Sequence, residues 1–284
     1  MPETSTSPAD RPRLQAPAGT CDTHIHIYGP RNQYPLAPTC VLTPPDGPVE
    51  AYRGVMERLG LERVVIVQPS AYGTDNRCTL DAIEVLGACA LGVAVVDQTV
   101  TDDELARFTD AGIRGIRFFM LPGGALPWEI LEPMAARSHD FGWHVQLQMD
   151  GRELHQREAV LRRLPGTLVV DHNGKFLEPV GTEHPGFRAL LRLLDSGRCW
   201  VKVSAPYETS MEGPPAYGDV GALAKALIKA APERMLWATN WPHPAAQDNP
   251  PDDAVLLDLL LDWADEPTRR RILVDNPAEL YGFQ

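Results

Sequence analysis

The stretch Cys21-Asp22-Thr23-His24-Ile25-His26-Ile27 alternates polar and apolar residues in a short β-type run. A strand's period of two places Asp22, His24 and His26 on one face, with Thr23, Ile25 and Ile27 on the other. Two imidazoles therefore share one side of a strand otherwise suited to burial. Seven further runs of this kind follow: Arg63 to Gln68, Leu91 to Val96, Gly115 to Phe119, Trp143 to Met149, Thr167 to Asp171, Cys199 to Ser204, and Met235 to Thr239.

The segments between them carry helical periodicity. Val49, Tyr52, Met56 and Leu59 share a face and stop at Gly60, Thr101 and Glu104 have capping-box spacing, and Phe187, Leu190, Leu191 and Leu194 form a stripe before Gly197. Alternating β and α segments indicate a parallel sheet, and eight such units over about 260 residues predict a single-domain (β/α)8 TIM barrel. A doubly wound open sheet is the alternative, but no G-x-G-x-x-G motif follows a strand. Residues 1–20, rich in Pro, Ser and Thr, read as a flexible lead-in, and 21–284 as the barrel.

Composition narrows the function. The 26 basic and 38 acidic residues leave a net charge of −12, a field that repels nucleic acid and anionic membranes. The longest apolar run, Val85 to Val96, is too short to span a bilayer, and no apolar signal segment opens the chain. Five scattered cysteines without C-x-x-C spacing argue against a disulfide framework or a thiolate zinc site, and a cytoplasmic location is expected. The 23 Gly and 27 Pro fit many short connections between regular elements.

In a barrel of this kind functional groups sit at the C-terminal strand ends. The sequence there reads Asp22-Thr-His-Ile-His26, Val67-Gln-Pro-Ser70, Asp171-His-Asn-Gly-Lys175, Val201-Lys-Val-Ser204 with Pro206-Tyr207, and Ala238-Thr-Asn-Trp-Pro-His243. These anchors, in this order from Asp22 to about Tyr281, resemble the amidohydrolase superfamily in its amidohydrolase 2 branch. Leu121-Pro-Gly-Gly124, His172-Asn-Gly-Lys-Phe176 and Thr239-Asn-Trp-Pro-His243 are similar to its lactone-processing members, the D-galactarolactone isomerases above all and the 2-pyrone-4,6-dicarboxylate lactonases beside them.

The resemblance implies an enzyme acting on a small lactone or carboxylate. Metal-dependent members add to the H-x-H a Lys or Glu at strand four, His at strands five and six, and Asp at strand eight. Here strand four offers Arg117, strand five Gln146 and Gln148, and strand eight ends in Asn240. No metal is therefore expected; zinc at His24, His26 and His172, three neutral ligands without a carboxylate, is the alternative. An amide at residue 240 can orient a hydroxyl but cannot deprotonate water, which favours attack by a hydroxyl of the substrate itself.

The expected catalytic residues are His172 for proton transfer, His24 and His26 for polarising the carbonyl, and Asn240 for orienting the hydroxyl. Arg117 and Lys175 are expected to supply positive charge for a substrate carboxylate, an ion pair inside the barrel being the other reading of Arg117. Ser70, Gln148 and Tyr207 are expected to bind sugar hydroxyls, though Tyr207 after Pro206 reads equally as a packed turn residue. Glu208 disfavours a second substrate carboxylate. Lys202 reads as buried and paired with Asp22 or Asp171, His243 as lying behind the site or exposed, and His139, His155 and His184 as surface residues. Lactone hydrolysis, metal-dependent hydrolysis or decarboxylation, and a non-catalytic binding barrel remain the rival functions.

Overall fold

The computed structural model describes residues 11–283. Eight parallel strands pair in chain order: β1 (Cys21–Ile25), β2 (Arg63–Val67), β3 (Ala90–Ala94), β4 (Ile113–Phe119), β5 (His144–Gln148), β6 (Leu168–Val170), β7 (Cys199–Ser204) and β8 (Met235–Ala238). The main helices follow them outside: α1 (Val49–Leu59), α2 (Arg77–Leu86), α3 (Asp102–Asp110), α4 (Leu131–Asp140), α5 (Leu154–Leu161), α6 (Pro185–Asp195) and α7 (Gly218–Ala230). After β8 come α8 (Asp253–Asp258), α9 (Leu260–Trp263), α10 (Glu266–Arg270) and α11 (Asn276–Tyr281). This is the expected single-domain (β/α)8 barrel.

Its first and last strands meet through Thr23 Oγ1 to the Trp237 carbonyl at 2.8 Å, Asn240 N to the His24 carbonyl at 2.9 Å and His26 N to the Trp241 carbonyl at 2.8 Å. The last two bonds fix the loop after β8 beside the H-x-H of β1. Local sequence signals end the helices where expected. Gly60 caps α1 at φ 74°, and Thr101 and Glu104 form the capping box of α3.

One expected facing is corrected. The register of β1 against β2 shifts between Asp22 and Ile25, so three steps on β1 oppose two on β2. This bulge breaks the period of two. Cys21 packs inside the barrel with Val65 and Val67, whereas Asp22 turns to the helix side, where Tyr52 of α1 donates to its carboxylate at 3.1 Å. Thr239 adds its hydroxyl at 2.6 Å and its N–H at 3.1 Å. Asp22 thus joins β1, α1 and the end of β8, and does not share a face with His24.

The interior is layered. Cys21, Val65, Val67, Val93, Val169, Trp200 and Leu236 form an apolar plug, with Tyr281 of α11 buried against it. Gly115 makes room for the His144 ring, since a Cβ there would stand 2.5 Å from Nε2. Above the plug, His24, Gln146, Asp171, Lys202 and Arg117 form a polar layer, each 3% exposed or less.

Of the expected lead-in, residues 1–10 lie outside the described residues. Further along it, Arg13 Nε donates to Asp258 at 2.9 Å, and the buried Leu14 donates its N–H to the same carboxylate at 2.8 Å. The five cysteines are free, and among the described residues no helix is long and apolar enough to cross a membrane.

Candidate active site

The floor of the site is a hydrogen-bond network centred on Lys202, an inward residue of β7. Its ammonium donates to the Thr23 carbonyl at 2.7 Å and Gln146 Oε1 at 2.8 Å, reaches His24 Nδ1 at 3.4 Å, and lies 3.8 Å from Asp171 Oδ1. Gln146 Nε2 donates to Asp171 Oδ2 at 3.1 Å. Lys202 is therefore partnered as expected with Asp171, and not with Asp22. Burial lowers its pKa to about 8, opposed by the Asp171 charge.

The imidazole tautomers follow from their partners. His26 Nδ1 is 2.8 Å from the Val67 carbonyl, which can only accept, so the proton sits on Nδ1 and Nε2 is bare. His24 Nε2, 3.3 Å away, then carries the proton and donates to His26, while His24 Nδ1 accepts from Lys202. Burial pushes His26 down to about 3 and His24 well below its usual value, so both rings are neutral. Neither has a spare N–H for a carbonyl, contrary to the polarising role expected of them.

A metal fits this arrangement poorly. His24, Asp171 and His172 present donor atoms within 4.8 Å of one another. However, His24 Nδ1 and Asp171 Oδ1, 3.3 Å apart, already have the Lys202 ammonium beside them at 3.4 and 3.8 Å, and Arg117 approaches Asp171 Oδ2 at 3.9 Å. A divalent ion there would face two fixed cations. The expected zinc alternative at His24, His26 and His172 fits no better, because His24 Nε2 bears the ring proton.

Above the floor a cavity of about 300 Å³ opens at the C-terminal strand ends. His26, Ser70, Arg117, Gln148, His172, Lys175 and Asn240 all line it, whereas His24 lies beneath and Tyr207 behind its wall. Val41, Leu42, Leu121 and Pro122 make its apolar side.

His172 follows β6 in a short turn with φ 52°. Its Nδ1 is 2.8 Å from Ser204 Oγ, whose hydroxyl can donate onward to the Lys202 carbonyl at 3.4 Å. In that polarity Nδ1 holds the proton and Nε2 is a bare base. Burial, reinforced by His24, keeps this ring neutral well below the usual pH range. Asn173 Nδ2 ties the same turn to the Ser204 carbonyl at 2.9 Å.

His172, Asn173, Lys175, Ala205, Asn240 and His243, none of them glycine, all take left-handed backbone in the loops after β6, β7 and β8. Each costs on the order of 1 kcal/mol, a concentration of strain found where side chains must be aimed.

Arg117 satisfies both expected readings. It lines the cavity, donating to the Gln68 carbonyl at 3.0 Å and Gln148 Oε1 at 2.9 Å, and also lies beside Asp171. Its buried Nε has no partner among the described residues.

Lys175 was expected to offer free charge; instead its ammonium is paired with Glu208, which lines the same cavity. Burial lowers Lys175 to about 7, with Asp171 opposing and Arg117 adding to the shift. Asn240 Nδ2 donates to Glu208 Oε1 at 3.1 Å and to the Tyr207 hydroxyl at 2.9 Å. Behind it, Tyr207 Oη is 2.9 Å from His243 Nδ1, and His243 Nε2 is 3.0 Å from Asp253 Oδ1. A carboxylate can only accept, so the chain runs one way: His243 donates to Asp253, Tyr207 to His243, and Asn240 to Tyr207. With both amide N–H groups spent, Asn240 Oδ1 is left to accept from a ligand.

Glu208, Asp171, Ser204, Gln146 and the His243–Asp253 pair were not among the expected site residues. Asp171, Ser204 and His243 stand within the strand-end anchors and Gln146 and Glu208 at positions the resemblance singles out, and only Asp253 had no local signal at all. His139 and His155 are exposed as expected, and His184 caps α6 through Gly186 N.

Comparison with known proteins covers nearly the whole chain. Residues 21–283 match the family model described as amidohydrolase. D-galactarolactone isomerase of Agrobacterium fabrum is 39% identical, the match spanning 95% of this chain and 93% of that protein. The 2-pyrone-4,6-dicarboxylate hydrolase of Comamonas testosteroni is 36% identical over 95% and 92%. The apo crystal structure of an Agrobacterium tumefaciens protein superposes with a TM-score of 0.91 at 38% identity, covering 96% of this chain and 97% of that one.

Proposed function

This chain belongs to the amidohydrolase family and is an enzyme, and from that premise we propose that it exchanges the ring of a small, hydroxylated lactone bearing one carboxylate, without a metal. The observation that carries the reading is Asn240: the strand-eight position holds an amide whose N–H groups are both engaged, so it can receive a hydroxyl proton but not remove one. The relatives named for lactone isomerisation and lactone hydrolysis support the substrate class.

In this mechanism a hydroxyl of the substrate, held by Asn240 Oδ1, attacks the lactone carbonyl of the same molecule. Proximity within one molecule replaces the activation of water. His172 Nε2, bare and facing a cavity it lines, takes the hydroxyl proton. Arg117 is the cation toward which the substrate carboxylate is drawn. Gln148 and Ser70 lie within the cavity wall for the remaining hydroxyls. With Lys175 paired to Glu208, and Arg117 beside Asp171 at 3.9 Å, little positive charge is left over at the wall, which suits a monoanionic lactone better than a dicarboxylate.

Hydrolysis is the second reading, favoured by the hydrolase among the relatives; water would then take the place of the internal hydroxyl. The test is a panel of aldaro- and aldonolactones followed by NMR, with chelator present and metal content measured. Ring exchange without base uptake is the expected result. Ring opening alone would favour a lactonase, loss of activity with chelator would refute the metal-free mechanism, and no change in any lactone would refute both.

A further inference from the structure

Lactone ring exchange involves two oxygens, one arriving and one departing. His172 serves the first by accepting a proton, and the imidazolium so formed serves the second only if it can turn from the arriving oxygen to the departing one; a second group on the cavity wall would spare it that movement. The departing alkoxide needs an acid. The cavity wall holds one in Lys175. Its side chain and that of Glu208 are 8% and 7% exposed, and their contact is the only one the Lys175 ammonium makes among the described residues. An ammonium carries three N–H groups, so two remain to face a ligand.

The pair is built for placement more than for stability. Buried ion pairs contribute little net stability, and this one lies in the wall of an open cavity instead of the barrel core. Both partners sit on constrained backbone: Lys175 is itself left-handed at φ 50°, and Glu208 ends the turn that begins after left-handed Ala205. Asn240 holds the far oxygen of Glu208. The same amide that presents its Oδ1 to the incoming hydroxyl therefore steadies the carboxylate that steadies Lys175.

We propose that Lys175 is the catalytic acid that protonates the departing ring oxygen, with Glu208 as its positioning residue. The assignment rests on the lactone reading above. In the attack, the substrate O–H breaks as its oxygen bonds to the carbonyl carbon, the proton goes to His172, and the carbonyl π pair moves onto its oxygen. On collapse that pair re-forms the carbonyl, the old ring C–O bond breaks, and the departing oxygen takes a proton from Lys175. The imidazolium and the free amine left behind are reset by proton transfer through water in the cavity. No electron is gained or lost, and in the reverse direction the two groups exchange roles. Burial pulls the Lys175 ammonium down toward the range in which a group both gives and regains a proton at neutral pH, while its carboxylate partner keeps it charged at rest.

Lys175→Arg separates charge from proton transfer, because guanidinium can pair with Glu208 but does not release a proton. Its rate should fall by about 10²-fold or more on an alkyl lactone, with KM changed less than about threefold. On an aryl lactone that carries its own attacking hydroxyl, such as 3-(2-hydroxyethyl)dihydrocoumarin, whose phenolic oxygen leaves without an acid, the loss should stay under about tenfold. If Lys175→Arg does not fold, Lys175→Ala is assayed with added ethylamine, which should restore alkyl-lactone turnover and leave aryl-lactone turnover unchanged. Equal losses on both substrates, an unimpaired Lys175→Arg, or no amine rescue would overturn the assignment. A wild-type protein that acts on neither lactone would instead overturn the lactone reading, and this assignment with it.

Discussion

The hydroxyl of Tyr207 accepts a hydrogen bond from Asn240 at 2.9 Å, so a residue outside the cavity determines which atom of the amide faces into it. Tyr207→Phe removes that acceptor and leaves Glu208 as the only one. The ring of Asn240 contacts is loosened without being lost. We expect kcat to fall by roughly tenfold with KM nearly unchanged, since orientation and not binding is impaired. Steady-state kinetics on the responsive lactone, beside a thermal melt, checks this.

Asn240→Asp would place a carboxylate at the 3.1 Å contact with Glu208 and abolish both donated bonds. Two carboxylates at that separation repel, so ring exchange should fall by about 10²-fold or more. The double variant Asn240→Asp, Glu208→Gln relieves the repulsion and supplies a base that can activate water. Product analysis by NMR should then show ring opening where the parent shows ring exchange; a double variant as inactive as the single one would refute the role given to residue 240.

Lys202→Met keeps the bulk of the side chain and removes its charge. Asp171, which has Lys202 at 3.8 Å and Arg117 at 3.9 Å, would lose half its cationic surroundings, and Gln146 Oε1 its donor. Breaking a buried pair in this way costs about 3–5 kcal/mol. Urea unfolding with the slope held constant would show it as a lower midpoint.

Gly186→Ala tests how closely α6 is docked. A Cβ at residue 186 would stand 2.0 Å from the Gly151 carbonyl oxygen, which is backbone and cannot rotate away. The loops after β5 and β6 would have to separate, at about 1–3 kcal/mol for the overpacking. Thermal denaturation gives the loss directly.

Acid should unfold the protein earlier than its carboxylates alone would dictate. His26 and His144 titrate near 3 when folded, chiefly through burial, and His24 and His172 are lowered in the same direction. The unfolded chain takes up these protons near pH 6.5, so stability is complete above that pH and is lost as the pH falls from there toward 3. Asp22 opposes this, because burial raises it to about 6 and the folded state binds its proton first. Four groups outweigh one. Urea midpoints should drop steadily between pH 7 and pH 4.5.

The barrel was legible because its signals are local. Alternation within each strand and end signals such as Gly60 and Thr101 need only neighbouring residues, and the strand bounds differ from expectation by at most two residues. The facing of Asp22 was not legible, since a bulge inserts a residue without changing composition. The site divides in the same way. His26, His172, Arg117 and Asn240 could be placed at strand ends from sequence alone, but not what holds them. Lys175 meets Glu208 across 33 residues, and Lys202 meets His24 across 178. Such partners are decided by the closure of the barrel, which no local pattern encodes. Tyr207 keeps two readings in the sequence, ligand contact or packed turn residue, for the same reason: its position after β7 is visible there, but His243 drawing its hydroxyl away from the cavity, which decides for the second, is not.

The apolar plug crossed by Tyr281 has a kinetic consequence. With Cys21, Val65, Val67, Val93, Val169, Trp200 and Leu236 filling the barrel below the polar layer, the cavity is closed from beneath and is reached from the C-terminal strand ends. Reactant must enter and product must leave by the same mouth, one after the other. In the proposed ring exchange the two lactones are isomers of one composition, so each competes with the other for that entrance. The direction of net flux is then set by their relative stability and concentrations, and not by the protein.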